Sequence, residues 1–131
     1  YIFGAVCPAT LEMEALIAPH VDKVFMRWHL EQISAKTEVG KHAVVIMDGA
    51  GWHQASLVEK ISNVSIIKLP PCSPELNPIE QVWSWLRQHH LANRCFSGYE
   101  DIVNACSAAW NDFISNIKRV MQMCHRDCLK I

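Results

Sequence analysis

Two acidic residues, Asp48 and Glu80, have the type and setting for chemistry on a charged substrate. Asp48 closes the apolar run "HAVVIMD" at 42–48 and is followed by Gly49-Ala50-Gly51. Such a run reads as a strand covered on both faces, so its terminal carboxylate should emerge at the carboxyl edge of a sheet, where open α/β folds build their sites. Glu80 follows "LPPCSPELNP" at 69–78 and sits near the start of a stretch with helical spacing. The two acids lie 32 positions apart on different elements. If their oxygens converge, they can share hard divalent cations, Mg²⁺ or Mn²⁺, which prefer carboxylate and water oxygens. Two such ions ~3.5–4 Å apart can activate a nucleophile and stabilise the leaving oxygen at a phosphodiester.

Each acid also has a purely structural explanation. Asp48 can cap the turn that the glycines permit. Glu80 falls at the third helical position if Asn77 is the N-cap and Pro78 the first helical residue, and there it can bond back to the cap amide. At ~100° per residue Glu80 lies beside the apolar stripe of Ile79, Val82, Trp83 and Leu86, at the rim of the core. The prolines ahead of it stiffen the approach and fix where the helix begins.

The elements that must position these acids follow from periodicity. "YIFGAVC" and "LEMEALIA" are short apolar runs split by Pro8-Ala9-Thr10 and read as two strands joined by a turn. Val21, Val24, Phe25, Trp28 and Ile33 recur at helical steps, which predicts an amphipathic helix ending near Thr37–Gly40 with those residues inward. "VSIIKL" at 64–69 is a second buried strand. The segment Trp52–Lys60 has room for a short helix between the two buried strands, a unit that should be parallel and right-handed. A last helix is expected to open at Ser97 with a Ser97–Glu100 capping box and to carry Tyr99, Ile102, Val103, Cys106, Trp110, Phe113, Ile114 and Ile117 inward. Trp83 belongs to the core stripe; Trp85 falls on another face, where it packs against a neighbouring helix or else meets a partner or DNA, packing being the simpler expectation. Arg87, His89, His90 and Arg94 either approach phosphates or form a solvated helix end. The fold class is therefore α/β, a mixed sheet flanked by helices.

Composition sets the outer limits. Half of the residues are hydrophobic and 19% are charged, which suits one packed domain of this length and excludes disorder. No stretch is long and apolar enough for a membrane span and none has the form of a signal peptide, so an intracellular, cytoplasmic protein is expected. The formal net charge is −1, which argues against a domain that grips nucleic acid with its whole surface. Six Lys/Arg face nine Asp/Glu through Glu80 and six face four after it, so the second part is mildly basic. The six cysteines are scattered and read as reduced thiols; "CHRDC" at 124–128 has no second pair at zinc-ligand spacing.

The wording around the acids adds a specific signal. "VVIMDGAGWH" followed by "IIKLPPCSPELNPIEQVWSWLR" resembles the second and third acidic motifs of bacterial insertion-sequence DDE transposases, relatives of the mariner group with an RNase H-like fold. The resemblance runs from "YIFGAV" to Ala109-Trp110 and implies that Asp48 and Glu80 bind the catalytic Mg²⁺ or Mn²⁺. His53 matches a histidine at the site's edge; a turn or helix-start histidine is the other explanation. Gly49 stands where many relatives have Asn, and Cys72 where many have an aromatic residue. The family's first acid lies on a strand ahead of the segment matching "YIFGAV", with a DNA-reading helix-turn-helix domain farther upstream. Glu12, Glu14 and Asp22 do not match that first acid.

Residues 1–131 are thus expected to be a single partial catalytic domain with the first strand missing, inactive alone. In the intact bacterial enzyme the resemblance implies DNA partners at the element ends and the target, action at the nucleoid, and no small-molecule substrate. Two other readings stand beside it: an RNase H-like nuclease that does not transpose, and a silent remnant or association module whose open sheet edge favours a homodimer.

Overall fold

The computed structural model describes residues 1–49 and 54–125. They form two compact units: one comprises Tyr1 and Ala18–Asn77, the other Ile2–Ile17 and the chain from Pro78 onward.

In the first unit, helix α1 (Lys23–Lys36) precedes strand β3 (Ala43–Met47), a one-turn helix α2 (Gln54–Leu57) and strand β4 (Val64–Lys68). Strands β3 and β4 pair in parallel, Ala43 opposite Val64 and Met47 opposite Lys68, as the two β-branched runs predict. Because side chains alternate along a strand, Ala43, Val45, Val64 and Ile66 share the face that packs with Leu30, Leu57, Met26 and Ile33. Helix α1 starts where Asp22 accepts a hydrogen bond from the Phe25 N–H at 3.0 Å. Its end is tied to the strands by Asn63. Ser34 Oγ donates to Asn63 Oδ1 at 2.5 Å, Asn63 Nδ2 donates to the Ser34 carbonyl at 3.0 Å, and the Asn63 carbonyl accepts from Ala43 N–H at 2.8 Å. Arg27 reaches from α1 to the carbonyls of Ser56 and Glu59 and so satisfies backbone acceptors in the last turn of α2 and just past it.

The inward stripe expected on α1 is only partly correct. Val21, Val24 and Trp28 are 52%, 54% and 51% exposed, whereas Leu30 and His29 are buried and Met26 and Ile33 pack on the core. Residues 26, 29–30 and 33 form a second i, i+3/4, i+7 stripe, and β3–β4 pack against that one.

In the second unit, strands β1 (Ile2–Val6) and β2 (Met13–Ile17) form an antiparallel hairpin, Ile2 opposite Ile17 and Val6 opposite Met13. The described strands therefore make two two-stranded sheets, one antiparallel and one parallel, where the sequence reading expects one mixed sheet. Helix α3 (Ile79–Leu86) continues into a π-helical turn over Arg87–Leu91, closed by Ala92 N–H to the Arg87 carbonyl at 2.7 Å. Helix α4 (Tyr99–Ser115) and helix α5 (Ile117–Cys124) complete the unit. Its core gathers Ile79, Val82 and Leu86 with Ala109, Trp110, Phe113, Val120 and Cys124, against which Val6, Met13 and Trp83 pack.

Two expectations for the last helix need correction. Ser97 is held by Asp101, whose Oδ2 accepts from the Ser97 N–H at 3.0 Å, and not by Glu100. The chain also breaks at Asn116, whose side chain caps α5 by accepting from Arg119 N–H at 3.1 Å. Past that bend Ile117 is 55% exposed, and Tyr99, Ile102 and Ile114 are exposed as well. No helix of the described residues is long and apolar enough to cross a membrane.

Candidate active site

Asp48 belongs to the first unit and Glu80 to the second, so each is placed within its own unit. The parallel ladder carries one residue beyond β4: Leu69 N–H donates to the Met47 carbonyl at 2.8 Å. Asp48 follows directly, at the carboxyl end of the pair, and is exposed. Among the described residues no hydrogen bond or ion pair engages its carboxylate. Beside it, the arm of Lys68 lies across Gly49. A Cβ added at Gly49 would stand 2.5 Å from Lys68 Cε and 3.1 Å from its Nζ. His53, the site-edge candidate, lies outside the described residues, as does Cys128 of "CHRDC"; Cys124 is buried in the core.

The proline segment turns sharply after Leu69. Cys72 has φ 58°, a left-handed conformation that costs a non-glycine residue about 1–2 kcal/mol, and Pro74–Leu76 form a 3-10 turn. That turn uses the Asn77 N–H, which donates to the Pro74 carbonyl at 3.0 Å. Pro78 already has helical angles, φ −62° and ψ −24°, as a proline at a helix start should. The expected capping box is not formed: the Asn77 amide bonds Pro74, and no hydrogen bond or ion pair to Glu80 is found among the described residues. Glu80, half-buried in the first turn of α3, thus keeps its carboxylate oxygens open.

Helix α3 is seated by close contact with β1. Gly4 leaves room for the Trp83 indole, whose Cζ2 is 3.0 Å from the position of an added Cβ; Trp83 in turn packs on Trp110 with ring centroids 6.1 Å apart. The second tryptophan, Trp85, packs edge-on to Phe113 at 5.2 Å and carries the Arg119 guanidinium 4.3 Å above its ring. The basic residues after α3 are largely committed to internal contacts. His89 stacks on Trp85 at 4.5 Å, His90 Nε2 lies 2.7 Å from Asp112 Oδ2, and Arg94 lies over Phe96; Arg87 is exposed. Sequence reasoning missed Lys68, although its place at the end of the run "VSIIK" marks it as a cation at the strand edge. Among the described residues no group of three or more His, Cys, Asp or Glu side chains is gathered at metal-ligand spacing.

Comparison with known proteins bears on these residues. A model of the DDE superfamily endonuclease family matches residues 1–103, a span that includes both acids. An uncharacterized protein, y4pE/y4sA of Sinorhizobium fredii (strain NBRC 101917 / NGR234), is 43% identical over 123 residues, covering 94% of this chain and 91% of that protein. No solved structure matches. With its strand-ending Asp48 and helix-borne Glu80 inside the matched span, the chain belongs to the DDE superfamily endonuclease family.

Proposed function

We propose that this chain is catalytic-domain sequence of an insertion-sequence DDE transposase, acting on DNA phosphodiesters with Mg²⁺ or Mn²⁺. The observation that carries the reading is the state of the two acids: both lie in the span matched by the endonuclease family, and among the described residues neither is spent on a cap, a turn or an ion pair. Their donor set fits the ions, since carboxylate oxygens are what hard divalent cations take. Asp48 and Glu80 would hold them, within an RNase H-like fold. When bound, the ions supply activation of the attacking oxygen and neutralisation of charge on the phosphate. The chain's part is to fix the two carboxylates: Asp48 by the last ladder bond of β3, Glu80 by Pro78 and the seating of α3 on β1. Water then cuts the phosphodiester at the element's end, and the freed 3′ hydroxyl attacks target DNA, with no covalent protein intermediate.

The test is a divalent-dependent nicking and joining assay with the full-length protein. Asp48→Asn and Glu80→Gln should each lower cleavage by at least about 100-fold, the upper range for disturbing even an outer partner of a metal ligand. Full activity in either variant overturns the assignment. Products that are cut and never joined to a second duplex would favour a nuclease that does not transpose.

A further inference from the structure

Lys68 carries an inference beyond the two acids. The parallel register places it opposite Met47 at the carboxyl end of β4, and two-residue alternation puts Gly49 on the same side. Its arm occupies the space where any other residue at 49 would carry its first carbon, with Nζ 3.1 Å from that point. Only glycine leaves that room. The ammonium thus lies beside Gly49, the residue that follows Asp48, and Lys68 is exposed.

Nothing among the described residues neutralises this charge: no carboxylate lies at ion-pair distance from Lys68. Two other cations of the same unit are engaged elsewhere, whereas Lys23 and Lys60 are exposed like Lys68 but lie away from the end of β4 in the chain. Arg27 bonds Glu31 and two carbonyls, and Lys41 pairs with Glu38 at 2.7 Å. Within this unit six Lys/Arg face six Asp/Glu, so no net positive field draws a polyanion to Asp48 and a local cation has to supply the attraction. A lysine, a compact charge on a flexible stem, suits a phosphate oxygen whose exact angle varies.

We propose that Lys68 binds a DNA backbone phosphate beside Asp48, using space that Gly49 leaves open. This rests on the transposase reading, and the experiment separates the two. Binding of the full chain to a fluorescein-labelled duplex is measured by anisotropy between about 50 and 200 mM salt, where each phosphate contact contributes about 0.9 to the slope of log affinity against log salt. Lys68→Met, which keeps the stem and removes the charge, and Lys68→Gln should each flatten the slope by about 0.9, equivalent to about 3.5-fold in affinity across that range. Lys68→Arg should keep it. Gly49→Ala, which displaces the arm, should weaken binding in the unaltered background and have no further effect beside Lys68→Met. An unchanged slope in both Lys68→Met and Lys68→Gln, with binding intact, overturns the Lys68 assignment alone. Absence of DNA binding by the unaltered protein overturns the transposase reading and this assignment with it.

Discussion

Replacing Gly4 by alanine should loosen the seat of the helix that carries Glu80. The added methyl carbon would overlap Trp83 Cη2 and stand 3.0 Å from Trp83 Cζ2 and 3.2 Å from Trp110 Cη2. Carbon atoms pack best at about 3.5–4.0 Å, so all three contacts are too close. Trp83 cannot swing aside cheaply, because its ring rests on Trp110, which is itself only 7% exposed. Overpacking of this kind costs about 1–3 kcal/mol, and the smaller unfolded-state entropy of alanine returns about 0.4–1 kcal/mol. A net loss of about 1–2 kcal/mol follows. With a urea m-value of about 2 kcal/mol/M, the unfolding midpoint should fall by about 0.5–1 M. Tryptophan fluorescence during urea unfolding reads it directly. Trp83→Phe removes the benzo-ring carbons that make the clash, so in that background Gly4→Ala should cost little, a coupling of about 1 kcal/mol or more. An undiminished midpoint in Gly4→Ala, or the same penalty in both backgrounds, would refute the contact as the reason for glycine at this position.

Two further predictions concern the first unit's joint and a thiol of the second. Asn63→Ala removes both side-chain bonds to Ser34 and leaves a part-buried carbonyl and hydroxyl to find water; a loss of about 1–3 kcal/mol is expected, seen as a lower melting temperature by calorimetry. Burial pushes the Cys106 thiol above its ordinary value of 9.0, so the unfolded chain loses that proton first. Its stabilising share is whole below pH 9.0 and is lost as pH rises from there through the folded value, and alkylation of Cys106 at mildly alkaline pH should lag behind that of exposed Cys7 and Cys95.

Strands came through from sequence more faithfully than helix faces, and the reason is physical. A short β-branched run marks a strand, and "AVVIM" and "VSIIK" have no competing arrangement; cover on both faces was not found, however, since Val44, Ile46 and Ile67 are exposed and the pair is packed on one face. Helix α1 has two apolar stripes, one through Val24 and Trp28 and one through Met26, Leu30 and Ile33, and periodicity is equally satisfied by both. The strands decide between them, because Ala43, Val45, Val64 and Ile66 must be covered. The break at Asn116 and the π turn at Arg87–Leu91 were harder still. Asn116 is a good N-cap, but helical spacing through Ile117 hides it, and the wider turn after α3 has no signature in residue type.

Glu80 shows how such a failure bears on function. A capping box is the cheaper explanation for a glutamate three residues past an asparagine, and local propensity alone would assign it there. The preceding Pro74–Leu76 turn needs the Asn77 amide for its own closure, at 3.0 Å from the Pro74 carbonyl, so the box is denied its donor. Pro78, which has no N–H, starts the helix without asking the side chain for one. The proline-rich approach thus does two things at once: it sets the start of α3, and it relieves Glu80 of the structural duty that its position would otherwise impose. A carboxylate held at a fixed helix start and left unpaired is what a cation site requires of its ligand.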